Sequence, residues 1–539
     1  MAEDKIALEI IQRDDACRSA RSNWNNMWQS VSELVLPRRA SFSQNIVAGD
    51  TIDSKIFDTT AVWANEQLAA GLHGFITPAT SRWMKLRVDD DDLMEDDEVR
   101  YWLESVADTI YRMIYQPQTN FVPQSHEMYL DIGCLGTSIM YIEERMNRRF
   151  PIRFHTFHLS ECCLVENADG IVDTLYRRFR WSVRKIMEKF PDTAGEKIQK
   201  LFEKNPETEM ELIHTVRPTK DKLDRGLGFE FESIYVLVEE KRQLRKGRFY
   251  EFPFSTPRWS KVTGELYGRS PAMTALHDIR MINEMSKTVL KSAQKIVDPP
   301  LMMPDEGFLL PVKTTPGGIN YYEAGREDRI EPIQTGGDIG IGIEMMEQRR
   351  QQILRSFYLD SMRLQKEDKE MTRFEAAKRD EENMRAMSPM VSRLQVEGLG
   401  RIIDRSIAIA GRMGLLPPVP AQLVDKEYII EYESPITRAL KMSQLTGITR
   451  TVEVLTPFAE VAPEMFDKFD FDKMAEYTAE QMEMPVQLLR TDKDVKKLRD
   501  ARAAKQAQME ELAAADSMAN TAAAGGKAME SMAKVKQMS

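Results

Sequence analysis

The first residues to weigh are those that could hold a metal ion or move a proton. His155-x-x-His158 is followed by Glu161, Cys162 and Cys163, and histidines three apart with a carboxylate and thiols nearby are the ligand types zinc takes. The stretch reads as strand and turn, however, and no second ligand cluster completes the set. Asp467, Asp470 and Asp472 suggest calcium, but the glycine and closing glutamate of an EF-hand loop are missing, so helix capping is the expectation there. Residues 336–342, GGDIGIG, fit neither GxGxxG after a strand nor GxxxxGK[ST]. They read as a flexible re-entry into a helix. Serine, histidine and aspartate are too scattered for a catalytic triad. The sequence thus offers no catalytic residue, cofactor or metal set, and the expectation is a protein that is not an enzyme. What remains is charge: Arg363-Leu364-Gln365-Lys366-Glu367-Asp368-Lys369-Glu370 interleaves both signs between two helical segments. By itself such a stretch is a solvated interhelix loop.

The totals bound the problem. The chain has 539 residues with a formal net charge of −11; 42% are hydrophobic and 29% charged, the composition of a globular protein. That length exceeds a single compact core and implies two or more substructures. The acidic balance argues against a protein that coats nucleic acid, which needs a basic surface, but not against one that lets DNA slide past. Four cysteines, Cys17, Cys134, Cys162 and Cys163, show no framework spacing, and a reducing compartment is the simplest reading. Charges interrupt the apolar pattern of the first residues, unlike a secretory signal. No run of 18 apolar residues exists, so no membrane span is expected. The 33 methionines suit adaptable helix packing.

Several elements must position the charged segment. Residues 5–36 carry apolar residues at helical spacing (Ile10, Trp24, Met27, Trp28) and predict one amphipathic helix ending before Pro37. Residues 71–86 read as a packed turn into a strand. Residues 164–182 read as a hairpin turning on Asn167-Ala168-Asp169-Gly170, and more strands are expected over 229–254. Ser270 and Pro271 open a helix whose apolar positions run from Ala272 through Leu276, Ile279, Ile282, Met285, Val289 and Ala293 to Ile296. It stops before Pro299-Pro300, a length of roughly 40 Å. A segment rich in Gly and Pro, about 299–338, leads to a second helix over about 341–362 with Ile343, Met346, Ile353 and Phe357 on one side. Thr372 and Glu375 form a capping box for a third helix to about 413, with a kink expected at Pro389 and weakening at Gly398 and Gly400. Thr491 and Asp494 start a last helix over 492–515, before a frayed end. The class is α+β and helix-rich.

The order of these pieces resembles the portal, or head-to-tail connector, family of T7-like and related short-tailed bacteriophages. The resemblance is carried by Tyr267-Gly268-Arg269-Ser270-Pro271-Ala272-Met273 opening a long helix that ends at a Pro-Pro turn. Met371-Thr372-Arg373-Phe374-Glu375, Glu433-Ser434-Pro435-Ile436-Thr437-Arg438-Ala439, Pro463-Glu464 with the three aspartates, and Arg490 with residues 495–502 follow in order. His277, where a proline is common, and Met484-Pro485, where Gly-Val-Pro is usual, depart from the pattern at local turns.

The resemblance implies an architecture and a job. A wing would take residues 1–265, a stem the helices at 266–297 and 341–362, a clip 298–340, a tunnel loop 363–372, a long kinked helix and the rest of the wing 373–490, and a C-terminal crown or barrel 491–539. Subunits would close into a ring, usually of twelve, at one capsid vertex of the virion, assembled in the host cytoplasm. The implied DNA-channel residues are Arg363, Lys366 and Lys369, with Arg349 and Arg355 as weaker candidates that serve equally well as salt bridges between subunits. The clip residues Leu301, Met302, Met303, Phe308, Leu309, Leu310, Tyr321 and Tyr322 would dock partners or pack the ring. Implied partners are further copies of the chain, double-stranded DNA, the terminase large subunit, tail adaptor or nozzle proteins, major capsid and scaffolding proteins, and internal core proteins on the crown. The competing readings are a DNA-processing enzyme, which lacks a phosphate loop here, and a tail adaptor or scaffold, which would lack the helix, Gly/Pro segment and helix in succession.

Overall fold

The computed structural model describes residues 4–43, 49, 55–94, 96–303, 311–313, 319–321, 331–332, 339–362, 387–424, 426–433, 447–448, 450–455, 469–482, 490 and 494–509. The chain divides into two compact units. One comprises Met1–Lys85, Val106–Pro417 and Ile430–Ser443; the other comprises Leu86–Ser105, Pro418–Ile429 and Gln444–Ser539.

The first unit is built on helices and antiparallel sheets. Helices α1 (Lys5–Ala20) and α2 (Ser22–Val35) stand where one helix was expected. The break falls at Arg21, whose buried guanidinium leaves the helix line to donate to the carbonyls of Leu159 at 3.0 Å, Ser160 at 2.6 Å and Cys162. Helix α3 (Thr60–Ile76) runs through the glycines of the segment read as a turn, which begins only at Thr77. Helix α4 (Phe121–Leu135) packs against it. At Gly133 an added Cβ would meet Asn65 Oδ1 at 2.2 Å, so the two helices cross nearly in contact.

A three-stranded sheet places β1 (Ile139–Glu144) between β2 (Ile152–Phe157) and the short β8 (Phe254–Ser255). A five-stranded meander follows in sequence order: β3 (Cys162–Glu166), β4 (Val172–Ser182), β5 (Glu209–Pro218), β6 (Phe231–Leu237) and β7 (Arg242–Phe249), all pairs antiparallel. The β3–β4 hairpin turns where the sequence placed it: Asn167 Oδ1 accepts from the amides of Asp169 and Ile171, both at 3.0 Å. Neighbouring residues along β5 face opposite ways. Ile213 joins Ala7, Ile10, Tyr176, Ile234 and Val236 beneath α1. Leu212 joins Phe179, Leu237 and Leu244 under α5 (Val183–Lys189) and α6 (Glu196–Lys204). Each such fully buried side chain stabilises by about 1.5–3 kcal/mol.

The long helices differ from the reading in detail. After a turn at Pro271–Thr274, α7 spans Leu276–Val297. Helix α8 spans Ile339–Ser356 and is separated from α9 (Leu359–Met362) at Phe357 and Tyr358. Tyr358 has φ +58°, which turns the chain so that Phe357 and Leu359 are both buried. The kink expected at Pro389 is not there. Residues 387–393 are helical, and the irregularity is a π-helical stretch at Leu394–Gly400, continued by α10 (Arg401–Arg412). Ser255 Oγ donates to Gly398 O at 2.9 Å. A Cβ on Gly398 would lie 3.1 Å from Pro257 Cβ, so the wide turn follows the close approach of the β8 segment. The expected start at Thr372 lies outside the described residues.

In the second unit, Asp470 Oδ1 caps Phe471–Gln481 by accepting from the amides of Asp472 and Lys473. Residues 494–509 are helical, within the expected last helix. Arg499 pairs bidentately with Asp472, both distances 2.6 Å. No helix among the described residues is long and apolar enough to cross a membrane.

Candidate functional site

The segment Tyr267–Met273 fastens the base of α7 to the rest of its unit. Tyr267 is buried; its hydroxyl accepts from Leu164 N at 3.3 Å and its ring meets Trp28 edge-on at 4.9 Å. Gly268 lies against Gly136, the left-handed cap of α4. A Cβ on Gly268 would sit 2.3 Å from Gly136 O, and one on Gly136 2.3 Å from Gly268 O. Arg269 pairs with Glu265 and lies over Trp24. Ser270 Oγ donates to Cys134 O at 2.7 Å and accepts from Met273 N at 3.0 Å, so one hydroxyl caps the Pro271–Thr274 turn that leads into α7 and ties it to α4. Just before this segment, buried Arg258 grips Glu397 with two 2.8 Å bonds and also pairs with Glu166.

From that base α7 and α8 run side by side. Ser286 Oγ lies 3.5 Å from Met346 Sδ, and Arg349 pairs with Asp278 at 3.0 Å. Arg350 pairs with Asp58 at 2.9 Å, and the Asp58 carboxyl is held below its usual range: hydrogen bonds from Thr60 and the guanidinium outweigh partial burial. Leu276, Ile279 and Ile282 on α7, with Met346 and Ile353 on α8, are buried. Toward the far ends the apolar pattern emerges from cover. Leu290 is 51%, Ile296 53%, Val297 86% and Ile343 51% exposed. Ile343 therefore does not share the burial of Met346, Ile353 and Phe357.

Of the expected site residues, Arg349 is engaged with Asp278, and Arg355 is exposed and lies 3.4 Å from Asp360. Leu301 and Met302 form a short strand paired with Glu331–Pro332, and Leu301, Met302, Met303 and Tyr321 are exposed. Arg363, Lys366, Lys369, Phe308, Leu309, Leu310 and Tyr322 lie outside the described residues. Lys291 and Lys295 were passed over in the sequence. They are exposed on α7 one helical turn apart, and a spacing of four in a predicted helix was the signal that could have found them.

The histidine–cysteine stretch is not brought together. His155 is engaged with Glu143 at 3.5 Å, and that hydrogen bond, with help from Arg145, lowers the Glu143 carboxyl to about 2. His158 pairs through Nε2 with Arg39 O at 2.9 Å and accepts from Ser160 N at Nδ1, which leaves neither nitrogen for a metal. Burial first, then Arg39, lowers it to about 4. No group of three or more metal-ligating side chains occurs among the described residues.

The site is thus a helix pair, α7 and α8, tied to its unit at one end and exposing apolar side chains at the other. The family model of the bacteriophage head to tail connecting protein matches residues 7–489. The chain belongs to that family. The connector is 28% identical over 540 residues to a probable portal protein of Bordetella phage BPP-1, covering 97% of this chain and 96% of that one. It is 27% identical over 530 residues to the portal protein of Salmonella phage epsilon15, covering 95% and 93%. Among solved structures, the neck of an empty GTA particle superposes with a TM-score of 0.36 at 11% identity, covering 78% of this chain and 95% of that one. A native gene transfer agent virion gives 0.34 at 11% identity, covering 78% and 94%. The connector's function is that of a portal protein, the head-to-tail joint of a phage particle.

Proposed function

We propose that the connector is one subunit of a closed ring, of twelve copies in the usual family stoichiometry, set at one vertex of a short-tailed phage head. Double-stranded DNA passes through the ring during packaging, is retained by it, and leaves through it. The wing is residues 1–265 with parts of 373–490, the stem is α7 and α8, the clip is 298–340, and the crown is 491–539. The observation that carries the ring is the helix pair α7–α8, fastened at its base yet apolar and uncovered at its far end. A head-to-tail interface whose rotation closes covers such a surface on every copy at once. The clip docks the terminase large subunit during packaging and tail adaptor or nozzle proteins afterwards. Capsid, scaffolding and internal core proteins meet the wing and crown.

The electrostatics suit passage better than grip. Duplex DNA carries one charge per about 1.7 Å, and a channel that paired with many phosphates would stall it. An acidic subunit offering Arg363, Lys366 and Lys369 among Glu367, Asp368 and Glu370 supplies a mixed-charge ring. Electron microscopy of the purified full-length protein tests the assembly. End-on views of closed rings with a hole that admits duplex DNA are expected; monomers or small closed dimers would return the chain to the adaptor or enzyme readings. The tunnel loop is tested by Lys366→Ala with Lys369→Ala, expected to form normal rings with altered packaging or genome retention. Unchanged packaging and retention would remove that assignment.

A further inference from the structure

Cys17 and Cys163 are 146 positions apart, and nothing in their spacing suggests a pair. The fold brings them together. Cys17 lies on the last turn of α1 and Cys163 on the edge strand β3, which α1 covers. Cys163 is fully buried in the apolar cluster beneath the helix, and Cys17 packs against that cluster while keeping partial exposure. The Cys17 thiol lies 3.6 Å from Leu164 O, beside Cys163. The two side chains thus share the packed layer between α1 and β3. Two guanidinium groups flank them: Arg18 donates to Ser160 O and Glu161 O, and Arg21 to Leu159, Ser160 and Cys162.

We infer that Cys17 and Cys163 form a reversible oxidative cross-link site, which staples the N-terminal helix to the five-stranded sheet when the particle meets a disulfide oxidant. Thiolate chemistry needs a stabilised anion next to a reachable sulfur. Interaction with Cys17, then the nearby Arg21 and Arg18 charges, lowers the Cys163 thiol, while interaction with Cys163 and burial raise Cys17. Cys17 is the sulfur that a disulfide such as oxidised glutathione can reach, and the Cys163 thiolate accepts the Cys17 proton as Cys17 attacks. The Cys17 sulfur joins one glutathione as a mixed disulfide, and the other glutathione leaves as a thiolate that takes a proton from solvent. The Cys163 sulfur then attacks the Cys17 sulfur, the Cys17–Cys163 bond forms, and the second glutathione leaves with the Cys163 proton. Two protein thiols are oxidised and one glutathione disulfide is reduced. Cys162, next in sequence, is in register with Arg177 on β4 and on the opposite face from Cys163, so it does not compete.

The test uses full-length protein purified under reducing conditions and then exposed to oxidised glutathione without denaturant. Peptide mapping without reduction is expected to find Cys17 joined to Cys163 within one chain. Dithiothreitol should reverse the link, Cys17→Ser should abolish it and Cys162→Ser should preserve it. Cys17→Ser alters a partly exposed site and keeps the experiment readable if Cys163→Ser fails to fold. The oxidised wild type should melt a few degrees above the reduced form, because the link constrains a long loop of the unfolded chain, and Cys17→Ser should show no such shift. Unmodified thiols, a mixed disulfide that stays on Cys17, a bond to Cys162, a bond between chains, or an unchanged melting temperature would each overturn the staple.

Discussion

Asp131 on α4 is buried with Arg39 Nε 3.3 Å away, too poorly aligned for either carboxylate oxygen to gain a hydrogen bond. Burial outweighs the guanidinium and raises its carboxyl to about 7. The unfolded chain therefore releases this proton near pH 4 and the folded chain near 7, so stability is full below the first value and is lost as pH rises to the second. Asp131→Asn should flatten that slope and raise stability at pH 8 by up to a few kcal/mol; thermal melts at pH 5 and pH 8 read it, and a wild-type-like slope would refute it. Arg258 is the opposite case, a buried cation spanning two carboxylates. Arg258→Ala strands both acids and should cost about 3–5 kcal/mol. Arg258→Lys should recover only part, since an ammonium cannot make the paired bonds to Glu397.

Ser270 shows how far an element can be read in advance. The Ser-Pro start of the helix was legible because capping is local chemistry, and the hydroxyl does cap Met273. Its second bond, to Cys134 O, joins residues 136 positions apart, which no local pattern announces. Ser270→Ala should therefore cost more than the ~1 kcal/mol of an ordinary cap, nearer 2 with Cys134 O left unpaired, as measured by chemical unfolding. The hairpin at Asn167, the strands expected over 229–254 and the two long helices were legible for the same reason: turn chemistry and periodicity are written along the chain. The breaks were not. Arg21 leaves its helix for carbonyls of distant residues, and the π turn at Leu394–Gly400 answers Pro257, so a local rule put the distortion at Pro389 instead. The stem's anchoring was visible as a motif at Tyr267–Met273, but its partners Trp28, Gly136 and Cys134 were not.

For the whole molecule, the exposed far end of α7 carries two separable expectations under the proposed ring. Leu290→Asp with Ile296→Asp should leave the subunit folded, because both side chains are already exposed, yet abolish closed rings in electron microscopy. Lys291→Glu with Lys295→Glu should instead keep the rings and reduce the DNA packaged per particle several-fold. Rings lost in the second pair, with packaging untouched in the first, would reverse the two assignments.

Gly136 and Gly268 hold a further consequence, for descent. Each is pressed against the other's carbonyl, so a side chain at either position meets backbone, and no second substitution can clear the way. Such a pair has no neutral path by which one partner drifts while the other adapts. Lineages of this connector that have diverged to under a third identity should still carry glycine at both positions, while the apolar residues around them trade size freely.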